Sequence, residues 1–188
     1  MTLKVVWGIT GSGDKMPETV AAMTAVSERL DVEITAALSL AGEKVLRWYK
    51  LMEQVESISK AVLVEKNANS PFIVGKLQIG LFDCFVVAPA TANSVAKIAY
   101  GIADTLITNA VAQTAKTTVP IFILPVDLHE GTTVTTRPGG EKLELRIRAV
   151  DIENARRLRG MEGVTVLEDP GEIAGALRAC ARPRAGEP

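Results

Sequence analysis

The chain has 188 residues, of which 47% are hydrophobic and 23% charged, a composition that suits one globular domain with a full core. The 21 basic and 22 acidic residues give a formal net charge of -1, so we expect no nucleic-acid partner and no membrane partner. A single histidine and two cysteines argue against a multi-histidine metal site and a disulfide framework, and predict a reduced, cytoplasmic setting.

Strand-like runs alternate with helix-like stretches along the whole chain. Short apolar or alternating runs predict strands, and apolar stripes at helical spacing predict helices. The predicted strands are Leu3–Ile9, Asp31–Leu38, Cys84–Val87, Pro120–Leu124, Leu143–Ile147 and Val164–Leu167. After a helix beginning near Pro17, the predicted helices are Glu43–Ser57, Phe72–Ile79, Ser94–Tyr100, Thr105–Ala115, Asp151–Leu158 and Pro170–Cys180. This order predicts a doubly wound α/β fold, a three-layer sandwich with a mostly parallel sheet.

Other segments carry weaker signals. Val62–Val64 predicts either a short strand or the end of a helix, and Pro89 is expected to end the strand before it. Asp127–Lys142 is a long polar loop, and such loops in compact domains are usually functional or disordered. We expect a single domain over residues 3–180 and a flexible tail over residues 181–188.

The loops at the carboxyl ends of the strands matter most, because ligands of such sheets bind there. The first of them contains Thr10, Gly11, Ser12 and Gly13. Small residues let backbone N–H groups approach an anion, the following helix adds its positive end, and the two hydroxyls can donate hydrogen bonds. We therefore favour a phosphate site over a simple tight turn.

The spacing of this loop disagrees with two common nucleotide motifs. A dinucleotide fingerprint needs glycine where Met16 stands, and an ATP-type loop needs lysine where Asp14 stands. The second predicted strand ends without a carboxylate for a ribose, and Ser39 there offers a neutral hydroxyl. The sequence therefore predicts a mononucleotide phosphate rather than NAD(P) or ATP.

A later loop, Ala88–Ser94, has small side chains that leave room for a flat ring against the backbone. Thr91 and Asn93 can form hydrogen bonds with heteroatoms at the edge of such a ring. Asn93 has an alternative role, because it can instead cap the helix that begins at Ser94.

The sequence Pro89-Ala90-Thr91-Ala92-Asn93-Ser94 resembles the Pro-Ala-Ser-Ala-Asn-Thr motif of the homo-oligomeric flavin-containing cysteine decarboxylase superfamily. Gly8–Ser12 resembles the first loop of that superfamily, and Ser39 stands where the superfamily keeps a phosphate-binding hydroxyl. The likeness covers roughly Leu3–Val126. It implies a Rossmann-like (flavodoxin-like) fold, trimeric units and FMN held between neighbouring subunits.

Longer strings resemble the archaeoflavoprotein and dihydromethanopterin reductase branch of the superfamily: Asn69–Gln78, Ala96–Leu106 and Leu143–Asp151. Glu43–Ser57 lacks the histidine that the decarboxylase branches use, and the turn typical of flavin prenyltransferases is missing at 89–93. The resemblance therefore implies a redox enzyme rather than decarboxylation or prenyl transfer.

The reductase branch implies reduction of dihydromethanopterin to tetrahydromethanopterin, with electrons from ferredoxin or a reduced nicotinamide as a separate donor. His129 is a candidate for protonating or binding the pterin, and Lys97 is a candidate for a cation near the flavin ring. For each of them, the alternative is an exposed side chain without a role in the site. The implied FMN contacts are Thr10, Gly11, Ser12, Gly13, Ser39, Ala88, Pro89, Ala90, Thr91, Ala92 and Asn93.

Three other functions stay open at this point. An FMN electron carrier would have no small-molecule substrate, and a flavin edge left open by Asp127–Lys142 would favour it over a closed pocket. The other two are a decarboxylase that lacks the expected histidine and a nucleotide-binding module without catalysis.

Overall fold

The computed structural model describes residues 2–181, which form a six-stranded parallel sheet with helices on both faces and a separate two-stranded hairpin. The strands are β1 (Leu3–Ile9), β2 (Val32–Leu38), β3 (Ala61–Val64), β4 (Cys84–Ala90), β5 (Ile121–Pro125), β6 (Thr132–Thr136), β7 (Lys142–Arg146) and β8 (Val164–Val166). The sheet order is β3-β2-β1-β4-β5-β8. This confirms the predicted three-layer, mostly parallel α/β fold.

The helices connect the strands and cover the two faces of the sheet. They are α1 (Met16–Arg29), α2 (Leu40–Trp48), α3 (Met52–Ile58), α4 (Val74–Gln78), α5 (Ala92–Ala99), α6 (Leu106–Thr114), α7 (Ala149–Leu158) and α8 (Ile173–Cys180). A short 3-10 turn at Pro170–Glu172 precedes α8. No helix within residues 2–181 is long and apolar enough to cross a membrane.

Two apolar cores lie on opposite faces of the sheet, because successive strand residues point to opposite sides. In β1, Trp7 joins one core and Val6 the other; in β4, Val86 and Val87 divide in the same way. All four side chains are fully buried. The central strands are therefore apolar on both faces, as strands inside a covered parallel sheet must be.

The prediction of one helix over Glu43–Ser57 is wrong. Two helices occupy this segment, and the first begins at Leu40, directly after Ser39. Between them Lys50 adopts a left-handed backbone conformation with φ of 58°, which a continuing helix does not allow. The apolar spacing runs across this break, so periodicity alone could not reveal it.

The expectation that Pro89 ends its strand is also wrong, because β4 continues to Ala90. The pairing of β4 with β5 is irregular between Val87 and Ala90, so Pro89 lies where no ladder N–H is needed. Val62–Val64 belongs to a strand, β3, which confirms the first of its two predicted alternatives.

The prediction of a loop over Asp127–Lys142 is partly wrong. Thr132–Thr136 forms β6 and pairs antiparallel with β7, which overlaps the predicted strand Leu143–Ile147. The threonine-rich β6 has no alternation of apolar and polar residues, so the hydrophobic pattern gave no signal for it, although threonine favours strands. Of the predicted tail, residues 182–188 lie outside the described part of the chain.

Candidate functional site

The carboxyl ends of β1 and β4 lie side by side where the strand order of the sheet reverses. The Thr10 N–H and hydroxyl both donate to the Pro89 carbonyl oxygen, at 3.2 and 2.8 Å. The Thr91 N–H donates in turn to the Thr10 hydroxyl oxygen at 2.9 Å. These hydrogen bonds bring together the two loops that the sequence singled out.

Thr10 and Ser12 therefore have different roles. The Thr10 side chain is buried and its one hydroxyl hydrogen is donated to Pro89, so Thr10 braces the two loops rather than offering a donor to an anion. Ser12 donates its N–H to the Thr10 carbonyl at 2.9 Å. Among residues 2–181 its hydroxyl makes no hydrogen bond, which leaves that group for a ligand.

Two glycines pack the first loop directly against the first turn of α2. A Cβ at Gly11 would lie 2.4 Å from Ala41 Cβ, and one at Gly42 would lie 2.4 Å from the Ile9 carbonyl oxygen. Neither distance is tolerable, so glycine is required at both positions. The close approach places the loop beside the positive end of the helix.

Ser39 is the N-cap of α2, so the helix begins three residues earlier than the predicted start at Glu43. Its Oγ accepts the Gly42 N–H at 2.9 Å, and its N–H donates to the Ile9 carbonyl at 3.0 Å. A hydroxyl that accepts one hydrogen bond keeps its own hydrogen to donate. Ser39 can therefore cap the helix and donate to an anion at the same time.

Thr91, and not Asn93, caps α5: its hydroxyl oxygen accepts the Ser94 N–H at 3.2 Å. This removes the capping role considered for Asn93, whose exposed side chain makes no hydrogen bond among the described residues. The side chains of 88–90 are buried in β4, so within the predicted ring-binding loop only Thr91, Ala92 and Asn93 reach the surface.

Glu65 is a site residue that sequence reasoning missed. It follows β3 directly, is only 8% exposed, and accepts the Leu40 N–H at 3.2 Å and the Leu106 N–H at 3.0 Å. These are the first residues of α2 and α6. The available signal was an acidic residue directly after a strand-like run, at the ligand-binding edge of the sheet.

The hairpin of β6 and β7 lies against the first loop from the other side. The Tyr49 hydroxyl donates to the Thr136 carbonyl at 3.0 Å, and the Thr133 hydroxyl donates to the Asp14 carboxylate at 3.2 Å. Burial, together with the charge of Asp14, raises the pKa of Tyr49. Part of the segment 127–142 thus packs over this loop.

The candidate acid, His129, and the candidate cation, Lys97, lie in different surroundings: His129 is exposed, as its alternative role predicts, and Lys97 forms an ion pair. The His129 side chain is 72% exposed and lies 3.8 Å from the Glu168 carboxylate, an arrangement that gives it no special environment. Two residues earlier, burial and the charges of Asp151 and Asp14 raise the pKa of Asp127. Lys97 is paired with Asp104 at 2.8 Å, and this hydrogen bond lowers the pKa of Asp104.

With this geometry in place, comparison with known proteins identifies the family. The model of the Flavoprotein family matches residues 1–177. The chain belongs to the Flavoprotein family. This agrees with the resemblance seen in the motifs at Gly8–Ser12 and Pro89–Ser94.

Three similar proteins place this flavoprotein among its relatives. An uncharacterized protein of Methanocaldococcus jannaschii is 53% identical over 91% of this chain and 92% of its own length. Dihydromethanopterin reductase (acceptor) of the same organism is 30% identical over 92% of this chain and 95% of the reductase. The crystal structure of Burkholderia xenovorans DmrB with FMN, described as a cubic protein cage for redox transfer, has a TM-score of 0.79 and 34% identity over 94% of each chain. The predicted resemblance to the reductase branch is confirmed.

Proposed function

We propose that this flavoprotein binds FMN at the carboxyl ends of β1 and β4 and reduces dihydromethanopterin to tetrahydromethanopterin. The observation that carries the proposal is the set of hydrogen bonds at Thr10, which joins the phosphate-type loop to the ring-type loop. The similarity to dihydromethanopterin reductase and to FMN-bound DmrB supports the cofactor and the reaction class. The electrons come from a separate donor, either ferredoxin or a reduced nicotinamide.

The donor groups at the first loop fit a phosphate monoester. Ser39 and Ala41 stand at the N-terminus of α2, and Gly11 packs directly against Ala41. The proposed donors are the hydroxyls of Ser12 and Ser39 and the backbone N–H groups of residues 11, 13 and 41. Neutral donors at a helix N-terminus suit a phosphate without a basic side chain. These residues would hold the phosphate of FMN, while Thr10 keeps the two loops at a fixed separation.

The second loop fits the ring of the same ligand. The exposed amide of Asn93 can both donate to and accept from heteroatoms at a ring edge, beside the small side chains of Thr91 and Ala92. FMN, when bound there, supplies the hydride chemistry, and the protein supplies binding and orientation. The hairpin packed on Gly13 and Asp14 favours a covered site over the open flavin edge of an electron carrier.

A second copy of the chain would complete the site. Leu40, next to Ser39, and Trp48, at the far end of the same helix, are about half exposed although both are large and apolar. These side chains are available for contact with another subunit, and the similar protein DmrB is described as a cubic protein cage. We propose trimeric units in which a neighbouring copy covers this side of the FMN site.

An anaerobic absorption experiment tests the proposal. The purified protein is loaded with FMN, reduced, and mixed with dihydromethanopterin; return of the oxidised flavin bands with formation of tetrahydromethanopterin is expected. If the reduced flavin is not reoxidised by the pterin but is reoxidised by a protein electron acceptor, the protein is instead an electron carrier. Release of carbon dioxide from a peptide ending in cysteine would point to a decarboxylase.

Binding variants test the placement of the phosphate. Ser12→Ala removes one proposed donor and should weaken FMN binding by about tenfold. Ser57→Ala, at an exposed serine in α3 that bonds only a local carbonyl, is the matched control and should leave binding unchanged. If the wild type does not bind FMN, the proposal is wrong, and the remaining alternative is a nucleotide-binding module that does not use a flavin.

A further inference from the structure

Glu65 is an acidic residue buried at a place where two helices begin. Its N–H donates to the Leu38 carbonyl at 2.9 Å, so the chain after β3 is still held against the end of β2. Each carboxylate oxygen accepts one backbone N–H, from Leu40 at 3.2 Å and from Leu106 at 3.0 Å. One side chain thereby ties the first residues of α2 and α6 together.

The first four backbone N–H groups at the start of α2, those of residues 39–42, have no acceptor within the helix. The Ile9 carbonyl accepts that of Ser39, Glu65 accepts that of Leu40, and the Ser39 hydroxyl accepts that of Gly42. Within residues 2–181, only the Ala41 N–H has no such acceptor. The helix therefore offers a ligand one defined amide, with the Ser39 hydroxyl directly before this turn.

We propose that Glu65 is a positioning residue for the FMN phosphate, acting through Ser39 and the first turn of α2. The inference rests on the proposed function, in which Ser39 and Ala41 contact that phosphate. By holding Leu40 from the side of β3, the carboxylate fixes the direction of the Ser39 hydroxyl and of the Ala41 N–H. Pre-set donors bind an anion more tightly than donors that must first be ordered.

The charge of Glu65 acts in the opposite direction, since a carboxylate near a phosphate repels it. Our proposal is that positioning outweighs this repulsion. The hydrogen bonds at 3.2 and 3.0 Å spread the negative charge over two helix N-termini, where anions are stabilised. The two effects predict opposite changes when Glu65 is replaced, so one experiment separates them.

The experiment compares the affinities of FMN and riboflavin, which differ only by the phosphate. The ratio of the two dissociation constants is measured for the wild type, Glu65→Ala and Glu65→Gln. We expect Glu65→Ala to lower the preference for FMN by about tenfold with little change for riboflavin. Glu65→Gln keeps the size of the side chain and one acceptor oxygen, so its preference for FMN should lie between those of the wild type and Glu65→Ala. It also provides a folded variant if the alanine protein unfolds.

Two controls separate positioning from general loss of stability. Thr105→Val breaks the capping box at the start of α6 and should lower the melting temperature without changing the FMN preference. Glu33→Ala removes a partly exposed glutamate that pairs with Lys60 and should change neither quantity.

Each outcome decides between defined alternatives. A lower melting temperature with an unchanged FMN preference would make Glu65 merely structural and would overturn the inference. A stronger FMN preference in either variant would show that repulsion dominates, and would overturn it as well. A wild type that binds both flavins equally would remove the phosphate site itself, which is a failure of the proposed function and is recognisable without any variant.

Discussion

The two sides of the candidate site are built in different ways. At the ends of β1 and β4, buried groups are joined by short hydrogen bonds: the Trp7 indole donates to the Ala88 carbonyl at 3.0 Å, and Thr10 links Pro89 to Thr91. On the other side, every residue of β7 is exposed. Two of the side-chain hydrogen bonds that hold the hairpin to the rest of the protein are those of Tyr49 and Thr133.

This difference suggests a division of labour. A buried, fully bonded framework suits the part of a site that holds a cofactor in a fixed position, because rigid elements place donors accurately. A hairpin with few buried contacts has low local stability and can adapt to a substrate or to a neighbouring subunit. The following predictions compare matched changes on the two sides.

The largest effect is expected from an added methyl group at Gly11. In Gly11→Ala the new Cβ would lie 2.4 Å from Ala41 Cβ and 2.9 Å from its carbonyl carbon, so the loop and α2 must separate. We expect a loss of about 3 kcal/mol in the free energy of unfolding. Gly139→Ala, in the hairpin turn with no atom within 4 Å, should change it by less than about 0.5 kcal/mol. Urea denaturation of both variants checks this, and equal losses would contradict the comparison.

The next effect concerns the hydroxyl of Thr10. Thr10→Val keeps the shape of the side chain but removes the acceptor of the Thr91 N–H and a donor to Pro89, at a buried position. We expect a loss of about 2 kcal/mol, because buried polar groups lose their partners. Thr133→Val removes the bond to Asp14 in the hairpin and should cost about 0.5 kcal/mol. If the hairpin variant were the less stable one, the assignment of the rigid side would be wrong.

Much of the fold was predictable because buried strands carry a strong signal. The prediction for β1, Leu3–Ile9, agrees with the structure at both ends, and the apolar run from Cys84 located β4. The break at Lys50 was not predictable, since it depends on one left-handed residue inside a continuous apolar pattern. The hairpin was half predicted, because β7 alternates apolar and charged residues whereas β6 is almost entirely threonine.

The candidate site was predicted in its location more than in its roles. Residue types at the strand ends indicated Thr10, Ser12 and Ser39, but only the contacts show that Thr10 is a brace and that Ser39 caps a helix. Glu65 escaped prediction because its partners, Leu40 and Leu106, are distant in sequence. That these residues bind FMN stays a prediction.

A smaller effect is expected at the edge of the hairpin. Tyr49→Phe removes the hydroxyl that donates to the Thr136 carbonyl, and should cost about 0.5 kcal/mol with faster amide exchange in the hairpin. The pKa of Tyr49 is raised in the folded protein, so its stabilising contribution is complete below about pH 10 and is lost as the pH rises further. Denaturation curves of the two proteins should therefore converge above about pH 10, and a constant difference would contradict this account.

The smallest effect is expected at Asp127, two residues after the end of β5, because its partly exposed carboxylate is screened by solvent. Burial and the charges of Asp151 and Asp14 raise its pKa, opposed by Arg148 and Lys15. The folded protein thus binds this proton more tightly than the unfolded chain, so the stability that Asp127 contributes is complete below about pH 4 and is lost as the pH rises through the folded-state pKa.

Asp127→Asn should therefore be slightly more stable than the wild type at about pH 7, with no advantage below about pH 4. Thermal melts at the two pH values measure this difference, and an equal gain at both would mean that the introduced amide stabilises the protein through new contacts rather than through the loss of charge.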